Sequence, residues 1–193
     1  METDILAFAD PRTALVGVRI MCGHGSFEVE DPEIKYYTNG DHKEYDLIRY
    51  LNAVVEGSSE CGGHFPFHVN FNQLNGVSTT KGCYIGQELI QRTTHVGTVR
   101  KQTLPFIVHS HAEKKSEKLE LDLNNFNAMT LVNREFSHAM KDMDLKDHKG
   151  LKVGKILASQ YNAGSVMVDM PRLYKNGIDA KYFVDCDKQV VMW

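Results

Sequence analysis

A single thiol, Cys83, lies in a stretch whose residue types favour sulfur chemistry. The stretch covers residues 81–88 and reads Lys-Gly-Cys-Tyr-Ile-Gly-Gln-Glu. Gly82 and Gly86 remove side-chain bulk on either side, so a partner or cofactor can approach the backbone and the sulfur closely. Thiolate is the form of cysteine that attacks electrophiles and binds metals. Cys83 is therefore the candidate nucleophile or metal ligand of this chain.

The residues after the thiol predict a helix that begins at Gln87. A helix N-terminus carries partial positive charge, and Lys81 and Arg92 would add to that field, which favours thiolate. Glu88 and Arg92 lie four residues apart, the spacing of an ion pair on one helical face. The alternative interpretation is a buried, inert cysteine in a tight turn, because free cysteine is among the most buried residue types.

The stretch resembles the Lys-Gly-Cys-Tyr-x-Gly-Gln-Glu signature of the YgfZ/GcvT-like family, relatives of the folate-binding T-protein of glycine cleavage. Two departures occur elsewhere: Leu15 lies two residues before Gly17 instead of directly before it, and Ile48 replaces a leucine. The resemblance is strongest to the mitochondrial iron–sulfur assembly branch, whose members help mature 4Fe–4S proteins. It extends in the family's order over residues 10–12, Leu15, Gly17 and Arg19, residues 45–49 and 75–78, Arg92, His95, Gly97, Lys101, Val153, Gly154 and Ser159.

The resemblance implies that Cys83 donates one thiolate to a 2Fe–2S cluster shared with an A-type iron–sulfur carrier protein. Such a cluster generally needs four protein ligands, so Cys83 alone cannot hold it. Cys22, Cys61 and Cys186 could complete the set within the chain, but nothing in their spacing indicates that they converge. The binding role extends to the rest of the signature and the helix after it: Lys81, Gly82, Tyr84, Gly86, Gln87, Glu88 and Arg92.

The resemblance also implies an assembly factor of the mitochondrial matrix that is not a turnover enzyme. One alternative is a folate-dependent aminomethyl transferase that binds tetrahydrofolate, and another is a thiol-redox protein in which Cys83 forms a mixed disulfide. A cysteine–histidine nucleophile would need a histidine within hydrogen-bond reach of Cys83. The candidate histidines are His64, His68 and His95. Cys61 and His64 have the spacing of half a zinc site, without a second pair at usable spacing.

Composition is that of an ordinary globular protein. The chain has 193 residues, 42% hydrophobic and 24% charged, and a net charge of −3. This charge argues against a nucleic-acid partner, and no apolar run approaches the ~20 residues that span a bilayer. The four widely spaced cysteines indicate free thiols in a reducing compartment. The acidic start is neither a signal peptide nor a transit peptide, so a mitochondrial presequence is expected to lie outside the chain.

Sequence patterns predict an α+β chain with two domains. Residues 1–100 would be part of a T-protein-like folate-binding fold that carries the cysteine motif, and residues 101–193 a C-terminal antiparallel β-barrel. Family members usually carry a substantial segment before the Asp-Pro-Arg strand, which here begins almost at Met1. We therefore expect a chain that resembles the C-terminal part of such a protein. Exposed strand edges would favour homo-oligomers, and tetrahydrofolate binding would be weakened.

Individual elements follow from periodicity and turn residues. Apolar residues at helical spacing predict a helix over 43–55, and a loop is expected over 61–75. Pro105 would break the strand over 98–108 or place it at a sheet edge. Residues 133–150 are expected to form a long loop or a short helix. Further strands are predicted over 14–21, 128–132, 151–158, 165–169, 181–185 and 189–192, and loops over 26–41 and 109–120.

Overall fold

A curled antiparallel sheet forms the C-terminal part of the computed structural model, which describes residues 5–22, 41–109, 132–176, 182–184 and 188–192. The strand order is β3-β6-β5-β4-β7-β8, and β8 pairs again with β3, so the pairing returns to its first strand. The predicted mixture of helix and antiparallel sheet is confirmed. The six strands are β3 (Lys101–His109), β4 (Asp144–Asp147), β5 (Lys152–Gln160), β6 (Ala163–Asp169), β7 (Tyr182–Val184) and β8 (Lys188–Met192).

Strand β6 is buried on both faces, which explains its near-continuous apolar sequence. Alternate residues point to opposite faces of a strand. On β6, Val166 and Val168 join the cluster inside the curl, around the fully buried ring of Phe106. Met167, between them, packs outward against Val69 of the N-terminal part. Both faces of β6 therefore contribute to a core.

The N-terminal part covers the outer face of the sheet with two short helices and a 3-10 turn. Helix α1 (His42–Leu51) buries Leu47 against Ile107 and Ala163. Helix α2 spans Gly57–Cys61 and the 3-10 turn spans Pro66–Val69. A second apolar cluster joins this region to β5 and β6. It contains Val55, which precedes α2, Val69 of the 3-10 turn, Leu157 of β5 and Met167 of β6.

Asn70 fastens the 3-10 turn to the first part of β3. Its Nδ2 donates to the Thr103 carbonyl (2.7 Å), and its Oδ1 accepts from the Thr103 N–H (3.3 Å). Strand β8 pairs with β3 only from Phe106 onward, so within the described ranges no strand lies next to Thr103 on the β8 side. The Asn70 amide therefore satisfies both backbone groups of Thr103, as a neighbouring strand would. Pro105 also lies in this one-sided part of β3, which agrees with the predicted edge position.

A hairpin precedes the helices. Strand β1 (Ile5–Ala9) pairs antiparallel with β2 (Val18–Cys22), and a 3-10 turn over Ala14–Val16 lies between them. The predicted strand over 14–21 was wrong in its first half, because the Thr13 hydroxyl caps this turn. The hairpin keeps large apolar side chains exposed on both of its faces. These are Leu6, Phe8, Val18, Ile20 and Met21.

Other boundaries differ from the sequence predictions for local reasons. Helix α1 ends at Leu51 and not at residue 55, since Ala53 takes a left-handed backbone conformation (φ 52°). The interval 133–150 contains strand β4, and helix α4 (Met170–Asn176) directly after β6 was not predicted. The predicted loop over 26–41 lies almost entirely outside the described residues, as do the loop after residue 109 and the strand over 128–132.

Gly164 offers a test of close packing between strands. A Cβ at this position would lie 2.3 Å from the Ala158 carbonyl oxygen and 2.7 Å from the Phe106 ring. We expect Gly164→Ala to lower the free energy of unfolding by about 1–3 kcal/mol, because the strands must separate to accept the methyl group. Urea denaturation measures this value. Gly82→Ala is the control, since a Cβ there meets nothing within 4 Å. Equal stability of the two variants would contradict the close approach.

Candidate functional site

The cysteine motif lies on an exposed loop that leads into helix α3. This helix spans Gln87–His95, so its predicted start is confirmed. Gly86 is its N-cap residue and has φ 88°, a backbone conformation that favours glycine. Cys83 is exposed, and the interpretation of a buried, inert cysteine was therefore wrong. The thiol stands in solvent three residues before the cap.

A small set of contacts holds the loop around Cys83. The Tyr84 N–H donates to Gln87 Oε1 (3.3 Å), and the Gln87 N–H donates back to the Tyr84 carbonyl (3.2 Å). The Lys81 ammonium lies 4.1 Å from the centre of the Tyr84 ring, a cation–π contact. Lys81, Tyr84 and Gln87 thus form a turn that leaves the intervening thiol free of cover.

The loop is also tied to the N-terminal hairpin. Asn75, eight residues before the thiol, donates from Nδ2 to the Pro11 carbonyl (2.7 Å). Asn75 has φ 56°, a conformation that asparagine tolerates better than most residues. Two segments that the resemblance singled out separately, residues 10–12 and 75–78, are therefore in direct contact. The segment that leads into the motif is thus linked to the turn at Pro11.

Other predicted site residues are not brought together with the thiol. Among the described residues, no ion pair or hydrogen bond joins the side chains of Glu88 and Arg92, so the predicted ion pair was wrong. His95 Nε2 lies 3.0 Å from Gln91 Oε1 on its own helix. Burial lowers the pKa of His68, with Lys101 contributing. No three His, Cys, Asp or Glu side chains in the described part of the chain could hold a metal ion.

An arginine–carboxylate network lies beneath the hairpin. The Asp10 side chain is fully buried and accepts from Arg12 Nε (2.9 Å) and Nη2 (2.7 Å) and from Arg19 Nε (2.7 Å). Glu56 Oε1 accepts from Arg12, from Arg19 Nη2 (3.0 Å) and from the Tyr45 hydroxyl (2.7 Å). Both arginines therefore bridge the same two carboxylates, which joins β2 and the turn after β1 to the α1–α2 region.

A second set of contacts extends the network into the protein. Arg49 is buried and donates to Glu60 through Nη1 (3.0 Å) and Nη2 (3.2 Å) and to Asp46 through Nη2 (2.6 Å). The Tyr50 hydroxyl donates to Glu60 Oε1 (2.9 Å). Arg49 Nε lies 3.5 Å from Glu56 Oε2 and makes no hydrogen bond. An ionic contact at Glu56 thus connects the two halves.

The network shifts proton affinities in the directions expected of ion pairs. Hydrogen bonds from Arg12, and then from Arg19, hold the pKa of Asp10 far below its usual range, against the effect of burial. Burial raises the pKa of Glu56, but the Tyr45 and Arg12 hydrogen bonds outweigh it and the net shift is downward. Both carboxylates therefore stay ionised throughout the neutral range.

Sequence reasoning selected the arginines of this network and missed its two glutamates. The resemblance selected Asp10, Arg12, Arg19 and residues 45–49, but not Glu56 or Glu60. The available signal was charge balance, because the selected segments hold three arginines and only two carboxylates, Asp10 and Asp46. Two glutamates four residues apart, on either side of the Gly57 turn, would have met that requirement.

Comparison with known proteins finds relatives that are named as iron–sulfur cluster assembly factors. The chain is 42% identical over 99 residues to the iron–sulfur cluster assembly factor IBA57 of Homo sapiens, covering 50% of the chain and 26% of the relative. The Dictyostelium discoideum homologue is 36% identical over 101 residues, 51% of the chain and 25% of the relative. The Phaeosphaeria nodorum homologue is 31% identical over 172 residues, 78% and 39% respectively.

All three relatives are named as mitochondrial iron–sulfur cluster assembly factors. The chain spans between 25% and 39% of their length. No protein-family model matches the chain. Within the described residues, no helix is long and apolar enough to cross a lipid bilayer. The similarity includes a large part of the chain, and it points to one class of assembly factor.

The Asp10 contacts predict a pH-dependent contribution to stability. We expect Asp10→Asn to lower the free energy of unfolding by about 1.5–3 kcal/mol near neutral pH, since charged hydrogen bonds are lost. The folded pKa of Asp10 lies below its unfolded value of about 3.9. Its contribution is therefore complete above that pH and is lost as the pH falls toward the folded pKa.

Denaturation at a series of pH values measures this contribution. Wild type should lose stability more steeply than Asp10→Asn below about pH 4. Asp144→Asn is the control, because Asp144 forms an exposed pair with Lys152 that contributes little. Parallel curves for wild type and Asp10→Asn would show that the network does not depend on the Asp10 charge.

The exposure of Cys83 predicts selective alkylation. Burial raises the pKa of the Cys61 thiol, with Glu60 contributing, so at a given pH less Cys61 is thiolate. We expect iodoacetamide to modify Cys83 before Cys61, because Cys83 is exposed and Cys61 is half-buried. Mass spectrometry of timed digests measures the order. Faster modification of Cys61 would contradict the placement of the two thiols.

Proposed function

We propose that this chain acts in iron–sulfur cluster assembly, where Cys83 donates one thiolate to a 2Fe–2S cluster shared with an A-type carrier protein. The cluster is the cargo, and its transfer supports the maturation of 4Fe–4S proteins. Mitochondrial location in the matrix is part of the proposal. The names of the relatives support the assembly role and the mitochondrial location.

The observation that carries the proposal is the exposure of Cys83. A thiol that shares a cluster with another protein must be reachable by that protein, and Cys83 stands uncovered on a loop. No Cβ contact within 4 Å exists at Gly82 or Gly86, so both flanks of the thiol are open. A buried thiol would have required the loop to unfold before a partner could reach it.

The ligand count requires a second protein in this proposal. A 2Fe–2S cluster generally takes four protein ligands, most often thiolates. Cys83 supplies one of them and loses its proton on binding iron, and the carrier supplies the others. Lys81, Tyr84 and Gln87 hold the loop in place. The remaining signature and helix positions face the carrier in this arrangement: Gly82, Gly86, Glu88 and Arg92.

The domain organisation remains part of the proposal. Residues 1–100 would correspond to part of a T-protein-like folate-binding fold, and residues 101–193 to the C-terminal sheet domain. Leu47 and Val69 pack against the sheet, which supports a close association of these two parts. Homo-oligomers would form through the outer edges of the β1–β2 hairpin. Folate-dependent transfer and thiol-redox chemistry are the alternatives if cluster binding fails.

Anaerobic reconstitution tests the proposal. We expect a mixture of this chain, an A-type carrier, iron and sulfide to give a complex with new visible absorption and circular dichroism bands. The bands should disappear in Cys83→Ser, because the oxygen of serine binds iron less well than a thiolate. Size-exclusion chromatography follows the complex at the same time.

Cys61→Ser is the matched control, since it removes a half-buried thiol elsewhere in the chain. It should leave the spectrum of the complex unchanged. The same bands in Cys83→Ser and wild type would refute the ligand role of Cys83. Absence of any complex would direct attention to tetrahydrofolate binding by calorimetry and to mixed disulfides.

A further inference from the structure

The helix that follows Cys83 exposes large apolar side chains. Ile85 is 104% exposed, Leu89 47% and Val96 85%. Leu89 and Val96 are seven residues apart on helix α3 or directly after it, which places them on the same side. Exposed apolar residues are common singly, but these three all follow the exposed thiol within thirteen residues of the chain, and contact with another surface would bury them.

Helix α3 carries Leu89, and Val96 lies directly after its last residue. Ile90 is the buried residue of this helix, with 7% exposure. At the C-terminal end, the Gly97 N–H donates to the Arg92 carbonyl (3.1 Å), and a Cβ on Gly97 would lie 2.7 Å from the Thr93 Cα. The chain therefore turns closely around the end of the helix. The apolar side chains need no unfolding to be reached.

The sequence around the group is cationic. Residues 61–101 contain four cations and one acidic residue, Glu88, whereas the whole chain has a net charge of −3. Arg92 lies between Leu89 and Val96 at helical spacing, and Lys81 lies two residues before the thiol. Arg92 is exposed and makes no side-chain contact among the described residues. A partner with acidic groups around an apolar centre would complement this charge.

We propose that Ile85, Leu89, Arg92 and Val96 form a docking surface for an acidic, cluster-carrying protein. The inference rests on the proposed function and specifies how the partner is bound. Apolar contact with Leu89 and Val96 brings the partner's cluster to Cys83, and Arg92 and Lys81 attract its acidic rim. A cluster bound by thiolates contributes negative charge of its own, since each thiolate carries one negative charge.

Binding measurements with a recombinant 2Fe–2S-loaded A-type carrier test the surface. The probe variant is Leu89→Ser with Val96→Ser in the full chain, and both side chains are exposed, so folding should be retained. We expect the Kd to rise by about tenfold or more, as for residues at the centre of an interface. Leu151→Ser is the matched control, because Leu151 is 59% exposed on the C-terminal sheet part.

The charge component has its own pair of variants. Arg92→Gln should slow association and reduce the salt dependence of binding, because long-range attraction acts on the association rate. Lys175→Gln, on the exposed end of α4, should leave both unchanged. Circular dichroism of each variant confirms that the fold is retained.

The outcomes separate the docking surface from the function. Normal binding by the Leu89→Ser/Val96→Ser variant, alongside a cluster signal that still requires Cys83, would overturn the docking surface and leave the proposed function standing. Binding that depends on Leu89 and Val96, without a cluster signal that requires Cys83, would overturn the proposed function and leave the docking surface standing. Absence of carrier binding by the wild-type chain would overturn both.

Discussion

The ionic contacts of Asp10 and Glu56 join the β1–β2 hairpin to the α1–α2 region. Arg12 and Arg19 each bridge these two carboxylates, so the hairpin turn cannot move without breaking several charged hydrogen bonds. The Pro11 carbonyl in that turn accepts from Asn75, which begins the approach to the cysteine loop. One hydrogen bond from Asn75 thus links the ionic network to the segment that leads to the exposed thiol, although no charged group of the network contacts the thiol itself.

Such a network is costly to assemble and specific once made. Removing charges from water carries a desolvation penalty, which the mutual attraction offsets only when the geometry is good. Here Asp10 accepts four hydrogen bonds from two arginines, and Tyr45 and Tyr50 supply hydroxyl donors to the glutamates. Arg49 also lies over the rings of both tyrosines. The tyrosines therefore contribute packing surface and polar contacts at once.

Local features of the chain were predictable from sequence, and long-range ones were not. The start of α3 at Gln87 follows from the residues beside it, and most C-terminal strands follow from their apolar runs and turn residues. Glu56 and Glu60 were missed because their partners are remote in sequence, between 11 and 44 residues away where they bind Arg49 and Arg12. The missing Glu88–Arg92 pair shows that helical spacing permits an ion pair without requiring one. Helix α4 and strand β4 are short, and their periodic signal is correspondingly weak.

The Asn70 amide has a consequence for association between molecules. Unpaired backbone groups at the edge of a strand invite a strand from a second chain, which is a route to aggregation. At Thr103 the side chain of Asn70 occupies both groups, and Pro105 nearby offers no N–H to an incoming strand. The one-sided stretch of β3 is thereby protected by a single side chain and an imino acid, without an additional strand. Protection of this stretch of β3 thus comes from a residue that belongs to the N-terminal layer.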